Sequence, residues 1–322
     1  YGATPSFDLR IQTVGNVGND DWSGLQAAID AASAAGHGRV FLPRGVYHIG
    51  GTLTLHSNTT FFGAAAGAAV ITWHDNWRPT TGEVIMLQTD DNKDATTFLG
   101  SMQISTRITG GGRDPNTGVD LWDRFSHILW RAGRHSMTMS LMTNYNGFKS
   151  PLDGINPRRV YQFTGGGGGR HYGVLTLDRI TGNPDYRNIR IVGTSEPLSF
   201  YALATEATKF PPGTWPPVRP QAADTNVEIT NASNVRIYSM KREGDSPSVI
   251  ANNSNNIAVY SHMSYGGLSD ANKGGFLQTI GTSNNVLIAN ALVSHTKFIP
   301  AVGVQSLRES LTGQPEVKVI WP

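Results

Sequence analysis

Cysteine is absent from the 322-residue chain, and charged side chains make up only 16% of it. The absence of cysteine excludes disulfide bonds, thiolate metal sites and cysteine nucleophiles. With 26 basic and 24 acidic residues the net charge is +2, which is too small to predict a nucleic-acid partner. No apolar run approaches the ~18 residues that a membrane helix needs, so we expect neither nucleic acid nor membrane as a partner.

Signals for targeting and for metal binding are also lacking. Residues 1–5 do not show the basic and hydrophobic pattern of a signal peptide, so the sequence is interpreted as a mature form. Residues 89–94 cluster oxygen ligands but lack the glycine and the closing glutamate of a calcium loop. His127, His135 and His171 do not have the spacing of metal ligands. We therefore expect no metal and no other cofactor.

The chain is rich in residues that form turns and a core, with 37 glycines, 17 prolines and 39% apolar residues. The glycine and proline content favours turns over long helices. The length allows one large all-β domain or two smaller ones, and our prediction is one domain over residues 1–322. One amphipathic helix is predicted near the start, at about 23–35, with Asp20 and Asp21 before it and Gly36 after it. Its apolar face consists of Leu25, Ala28, Ile29 and Ala32. After it, almost every segment reads as a short strand followed by a turn.

A repeated phrase in the last third of the chain indicates a solenoid. A Ser-Asn pair or an Asn-Asn pair precedes a short apolar strand three times, and aligning Val235, Ile257 and Val286 gives steps of 22 and 29 residues. Such steps are typical of coils of a parallel β-helix, the second of them carrying a loop insertion. We expect the three apolar residues to stack in one column, with Ser and Asn bonding to backbone groups at the corners.

The beginning of the chain resembles the pectate-lyase-like superfamily. The resemblance lies in residues 18–29, 38–49 and 53–63, which include the Asp-Asp pair before the helix and the segment Phe-Leu-Pro-Arg-Gly-Val-Tyr. The sequence departs from the usual pattern by an Asn at the early Asp and by Arg44 at the second proline. The resemblance implies a single-stranded right-handed parallel β-helix, an all-β solenoid whose N-terminal end is covered by the helix.

A second stretch, over about 190–262, is similar to single-helix relatives of the family-55 glycoside hydrolases. The similarity rests on residues 196–201, Glu206, residues 226–229 and residues 237–244. It implies action on a β-1,3-glucan. The family's glucanases carry two β-helices in tandem, whereas this chain has room for one, and their catalytic acid has no identifiable counterpart here.

Four carboxylic acids are candidates for catalysis. Glycoside hydrolysis normally uses two carboxyl groups about 5–5.5 Å apart for retention or ~6.5–9.5 Å apart for inversion. Glu243 and Asp245 stand at i and i+2, where an extended chain would give the wider spacing. Glu206 and Asp224 belong to the segment from Tyr201 to Asp224, which is interpreted as a long irregular loop. We expect an acid and a base from among these four.

Residues near these acids are candidates for binding a polysaccharide. Trp215 could stack on a pyranose ring, and Tyr201 begins the same loop. Lys241, Arg242 and His262 are predicted to form a basic cluster on one face, as a lyase acting on a uronate polymer would require. The sequence thus favours a secreted glycoside hydrolase acting on a glucan and leaves two alternatives open, a polysaccharide lyase and a non-catalytic carbohydrate-binding or attachment module. It does not predict an oligomeric state.

The five glycines of residues 165–169 are not followed by the Lys-Ser or Lys-Thr pair of a phosphate-binding loop. They are interpreted as a flexible linker between two coils.

Overall fold

The structure is a computed structural model that describes residues 6–8, 20–74, 76–77, 84–105, 125–145, 159–178, 187–207, 225–243, 248–265, 277–289, 292–294 and 307–310. Within these ranges there are one helix, α1 (Trp22–Ala34), and 26 strands. The first thirteen strands are β1 (Ser6–Asp8), β2 (Arg39–Leu42), β3 (Gly45–Ile49), β4 (Leu53–Leu55), β5 (Thr60–Gly63), β6 (Ala69–Trp73), β7 (Val84–Thr89), β8 (Phe98–Ser105), β9 (Phe125–Trp130), β10 (Met137–Tyr145), β11 (Arg159–Thr164), β12 (Gly169–Tyr172) and β13 (Leu175–Asp178). The other thirteen are β14 (Arg187–Val192), β15 (Leu198–Tyr201), β16 (Ala204–Ala207), β17 (Val227–Thr230), β18 (Ser233–Tyr238), β19 (Lys241–Glu243), β20 (Val249–Asn252), β21 (Asn255–Tyr260), β22 (Met263–Tyr265), β23 (Leu277–Ile280), β24 (Asn284–Ala289), β25 (Leu292–Ser294) and β26 (Leu307–Ser310).

All strand pairs are parallel, and each strand pairs with its counterpart one coil away. The strands β4, β7, β9, β11, β14, β17, β20, β23 and β26 form one sheet in that order, and the remaining strands form the second. In the C-terminal half, a coil consists of one strand of the first sheet and two consecutive strands of the second, for example β17, β18 and β19. This arrangement is a parallel β-helix with a helix at its N-terminal end, as predicted from the sequence.

The predicted register of the repeated phrase is confirmed. Val235 pairs with Ile257, and Ile257 pairs with Val286. Val235 and Ile257 are buried, because alternate side chains of each strand point into the solenoid, where they stack on the equivalent residue of the next coil. Residues that are more than twenty positions apart in the sequence are therefore neighbours in space.

Three corners of the coil are built from residues in the left-handed region, with φ between +46° and +69°. The first column consists of Gly165, Gly193, Asn231, Asn253 and Gly281, the second of Asn58, Asn234, Asn256 and Asn285, and the third of Ser101, Ser140, Gly173, Ala202, Ser239 and Ser261. Asparagine tolerates this conformation because its side chain bonds locally. The corner side chains also join neighbouring coils, since the Nδ2 atom of Asn234 donates to the carbonyl oxygen of Ser195 over 2.8 Å. The prediction that Asn and Ser occupy the corners is confirmed.

Helix α1 begins and ends within one residue of the predicted bounds and buries its apolar face. The two aspartates before it bind to the adjacent coil. The Asp20 carboxylate accepts hydrogen bonds from the backbone nitrogens of Trp22 and Gly50, and the Asp21 carboxylate accepts one from the nitrogen of His48. These contacts fasten the helix to the end of the solenoid. Among the described residues, no helix is long and apolar enough to cross a bilayer.

The interpretation of residues 165–169 as a flexible linker is wrong. Gly169 begins strand β12, and the backbone nitrogen of Gly166 donates to the Asp91 carboxylate over 2.9 Å. A Cβ atom on Gly167 would lie 2.6 Å from the carbonyl oxygen of Trp130. The glycines are therefore needed because two backbones approach each other closely, a use of glycine that composition alone does not distinguish from flexibility.

Candidate active site

An ion pair between neighbouring coils lies on the outer surface of strands β16 and β19. The Lys241 ammonium group donates a hydrogen bond to Oε1 of Glu206 over 2.8 Å. Both side chains are partly exposed, at 32% for Lys241 and 22% for Glu206. The carboxylate and the ammonium group are therefore accessible to a ligand outside the solenoid.

The local structure around Glu206 differs from the sequence interpretation. Tyr201 and Glu206 were placed in an irregular loop, but they lie in strands β15 and β16. Only Ala202 and Leu203 separate the two strands, and Ala202 is one of the left-handed corner residues. For residues 201–207 the interpretation as a loop is wrong, because the two strands are only four residues long and a two-residue turn joins them. A strand holds Glu206 more rigidly than a loop would.

The register places a second acid next to Glu206. Glu243, the last residue of β19, pairs with Glu206 across the two neighbouring strands. Neighbouring parallel strands lie ~4.8 Å apart, so two catalytic candidates occupy adjacent positions of one column. The other candidates, Asp224, Asp245 and Trp215, lie outside the described residues.

The predicted basic cluster on one face is not formed. Lys241 is on the outer surface, but Arg242 and His262 are buried, with 0% and 1% of their surface exposed. Successive residues of a strand point to opposite faces, so Arg242 necessarily points inward when Lys241 points outward. The burial of Arg242 and His262 gives no support to their predicted contact with a polymer on the outer surface, and their role in binding substrate stays a prediction.

Inside the solenoid, His262 has an internal role. Its Nε2 atom lies 2.7 Å from the hydroxyl of Ser248. Burial, and secondarily the charge of Arg242, lower the pKa of His262 to about 4. The imidazole is thus neutral near pH 7 and does not add to the positive charge that a uronate carboxylate would meet.

Tyr201 belongs to a larger feature that sequence reasoning missed. The rings of Tyr172, Tyr201, Tyr238 and Tyr260, called here the tyrosine ladder, stack over four coils with centroid distances of 4.7, 5.0 and 5.1 Å. Neighbouring rings are within 10° of parallel, and all four are partly exposed. A signal was present, because Tyr238 and Tyr260 each end one copy of the repeated phrase. It was not recognised as a column, since the other two tyrosines belong to coils without the phrase.

No group of three or more His, Cys, Asp or Glu residues in the described ranges is arranged to hold a metal ion.

The parallel coils and the N-terminal helix define a parallel β-helix protein. A profile of the family described as rhamnogalacturonase A/epimerase, pectate lyase-like, matches residues 13–109. This match confirms the resemblance of the beginning of the chain to the pectate-lyase-like superfamily. The similarity to relatives of the family-55 glycoside hydrolases stays a prediction.

Among curated proteins, the chain is similar to enzymes of Azotobacter vinelandii. It is 35% identical to mannuronan C5-epimerase AlgE5 over 128 residues, which are 36% of this chain and 12% of the epimerase. It is 43% identical to alginate lyase 7 over 65 residues, which are 18% of this chain and 8% of the lyase. The matches thus cover a small part of each relative.

Among solved structures, the chain resembles the enzymatically active domain of tailspike protein 2 from bacteriophage CBA120. The TM-score is 0.53 with 10% sequence identity, over 91% of this chain and 43% of the tailspike chain. At this identity the similarity supports the fold and nothing further.

Proposed function

We propose that the protein is a secreted polysaccharide-degrading enzyme and, more specifically, a glycoside hydrolase that acts on a glucan-type polymer. The observation that carries the proposal is the register that pairs Glu206 with Glu243 beside a partly exposed lysine, Lys241. Two acids in adjacent coils match the arrangement that glycoside hydrolysis requires. The similarity to polysaccharide-modifying enzymes supports the general class.

The proposed roles follow from the contacts. Glu206 accepts a hydrogen bond from the Lys241 ammonium group, which suits a carboxylate that acts as nucleophile or base. Glu243 is then the general acid that protonates the leaving oxygen. The coil spacing of ~4.8 Å is close to the ~5–5.5 Å of retaining enzymes, so we expect the anomeric configuration to be retained.

A second candidate function is favoured by Lys241 and by the named relatives. A lyase or an epimerase that acts on a uronate polymer needs a cation to neutralise the carboxylate next to the carbon that loses its proton. Lys241 is a partly exposed cation, and the carboxylate of Glu206 beside it can serve as the base. The relatives named above act, by their names, on mannuronan and alginate.

One experiment separates the candidates. The protein is incubated with laminarin, pectate and alginate, and reducing ends, ultraviolet absorbance of unsaturated products and the NMR spectrum of the polymer are recorded. Reducing ends without absorbance support hydrolysis, both together indicate elimination, and a change in uronate composition alone indicates epimerisation. Binding without any of these changes would support a non-catalytic module.

Variants of the two glutamates test their proposed catalytic roles. Glu206→Gln and Glu243→Gln should each lower the turnover number by about a thousandfold or more, because each removes one of two groups that act as a unit. The matched control is Asp94→Asn, which changes an exposed aspartate whose ion-pair partners are Lys93 and Arg134. Full activity in either glutamine variant would contradict the role of that acid.

A further inference from the structure

The tyrosine ladder presents its hydroxyl groups and not its ring faces. Neighbouring rings lie against both faces of Tyr201 and both faces of Tyr238, at centroid distances of 4.7 to 5.1 Å. A sugar therefore cannot stack face to face on either of these two rings. What remains available at the outer surface is the edge of each ring and its phenol group.

None of the four phenol oxygens is hydrogen bonded to any part of the chain that the structure describes. The buried tyrosines differ in this respect. The hydroxyl of Tyr47 donates to the carbonyl oxygen of Pro43 over 2.8 Å, and the hydroxyl of Tyr161 lies 3.1 Å from Nδ1 of His171. If the ladder served only to pack one coil on the next, phenylalanine would suffice. The hydroxyl groups are thus the feature that packing does not explain.

The tyrosines of the ladder are spaced one coil apart along the solenoid. The four tyrosines pair in register, from Tyr172 to Tyr201, to Tyr238 and to Tyr260. Parallel strands keep this spacing at ~4.8 Å, so the hydroxyl groups form a straight row along the solenoid axis. A polymer with similar groups at a similar repeat can bond to each of them in turn, and a polysaccharide is such a polymer.

The ladder is also next to the candidate active site. Tyr201 and Glu206 belong to one coil, and Tyr238 and Lys241 belong to the next. In each coil, the left-handed corner, Ala202 or Ser239, lies between the tyrosine and the charged residue. A glycan bound along the ladder would therefore extend past the ion pair of Lys241 and Glu206.

From these observations we propose that the tyrosine ladder is an edge-on binding track for an extended glycan that lies parallel to the solenoid axis. Each phenol hydroxyl bonds to one sugar unit, and the stacked rings hold the row rigid, which lowers the entropy lost on binding. This inference rests on the proposed action on a polysaccharide.

Tyrosine-to-phenylalanine variants test the track, because they remove a hydroxyl group and keep the ring stack. In affinity gels that contain laminarin, pectate or alginate, Tyr201→Phe and Tyr238→Phe should each weaken binding roughly threefold to tenfold, as loss of one hydrogen bond implies. The melting temperature should not change. Tyr47→Phe is the matched control, since the same atom is lost from a buried bond; it should lower stability without weakening binding.

Oligosaccharides of the polymer that is bound provide a second measurement. Affinity should rise with length up to roughly four sugar units, one for each coil of the ladder at ~4.8 Å, and then level off. Affinity that is independent of length, or a Tyr201→Phe/Tyr238→Phe double variant that binds as the unchanged protein does, would overturn the inference. Binding to none of the three polymers would overturn it as well.

The outcomes separate this inference from the proposed function. A double variant with a higher KM and an unchanged turnover number supports the track and leaves the acid pair in place. If the phenylalanine variants behave normally while Glu206→Gln is inactive, the track fails and the hydrolase remains. If binding depends on the tyrosines but no polymer is changed chemically, the track holds and the proposed enzyme fails.

Discussion

Asn256 and Asn234 bond to each other across neighbouring coils, with Nδ2 of Asn256 donating to Oδ1 of Asn234 over 2.6 Å. Both residues have positive φ values, 56° and 63°. The same Asn256 side chain accepts a hydrogen bond from Arg236 over 2.6 Å. One side chain thus fixes a corner conformation and links two coils.

Replacement of Asn256 should separate these two effects. Asn256→Gly keeps access to the left-handed region and loses the hydrogen bonds, at a cost of about 1 kcal/mol per bond. Asn256→Ala loses the bonds and also places an alanine at positive φ, which costs roughly 1–2 kcal/mol more. Urea denaturation should therefore rank alanine below glycine in free energy of unfolding.

Asn255 is the matched control, because it is exposed and directly precedes the corner residue. Asn255→Ala should change the free energy of unfolding by less than about 0.5 kcal/mol. Equal losses for Asn256→Ala and Asn255→Ala would show that the corner asparagines do not stabilise the coil stack.

Much of the fold was predictable because its causes are local or periodic. Two repeated phrases already fixed the register of Val235 on Ile257, since a period-2 strand allows only one face to be buried. Helix α1 was predictable from its apolar spacing and from the aspartates before it. The close approach of Gly167 to the backbone of Trp130 could not be predicted, because the two residues meet only when the coils stack.

The site was predictable only in part, for a related reason. Glu206 and Glu243 were identified from the sequence as candidate acids, but not as neighbours. Whether they pair depends on the length of the coil between them, and the coils differ in length. Arg242 points inward because successive residues of a strand point to opposite faces. This rule could be used for Arg242 only after the first residue of β19 was known. The tyrosine ladder spans coils of unequal length, so the sequence alone does not show that its four tyrosines lie in one column.

His171 should make stability depend on pH. Its Nδ1 atom lies 2.9 Å from the hydroxyl of Thr138 and its Nε2 atom 3.2 Å from the carbonyl oxygen of Gly168. Burial lowers the pKa of His171 to about 3, whereas an unfolded histidine titrates near 6.5. Between these two values the unfolded chain binds the extra proton, so stability is lost as the pH falls from 6.5 towards 3, by at most about 1.4 kcal/mol per pH unit.

Thermal melts of His171→Gln between pH 7 and pH 4 check this dependence. The variant should be less stable at pH 7, because it perturbs a packed aromatic cluster, but its melting temperature should fall less steeply with acid. His135→Gln is the control, because the side chain of His135 is exposed, and this variant should keep the full slope. Identical slopes for all three proteins would exclude His171 as the source.

Two glycine substitutions should have opposite effects on stability. A Cβ atom on Gly24, inside helix α1, would meet nothing within 4 Å, so Gly24→Ala should stabilise the protein by about 0.5–1 kcal/mol through helix propensity. A Cβ atom on Gly167 would meet the backbone oxygen of Trp130 at 2.6 Å, so Gly167→Ala should destabilise it by more than about 2 kcal/mol.

Melting temperatures measured side by side give the test. A harmless Gly167→Ala variant would restore the interpretation of residues 165–169 as a flexible segment. A destabilising Gly24→Ala variant would instead contradict the placement of residue 24 in the first turn of α1.

Lys241→Gln should distinguish the two candidate functions through kinetics. The ion pair with Glu206 is partly exposed, so its loss should cost no more than about 1 kcal/mol of stability. If the substrate is a uronate polymer, the missing charge weakens its binding and KM rises. If the substrate is a neutral glucan, KM should stay near its original value and the turnover number should fall, because Glu206 loses the group that positions it.

The control is Lys93→Gln, which removes the same charge from an exposed pair with Asp94. It should leave both constants unchanged at moderate salt. Lys241→Arg should recover KM on a uronate polymer, since the positive charge is kept, but it should recover turnover on a glucan only in part, because a planar guanidinium group bonds to a carboxylate with a different geometry. A Lys241→Gln variant with both constants unchanged on every polymer would place the chemistry away from Glu206, and the acid pair would have to be abandoned.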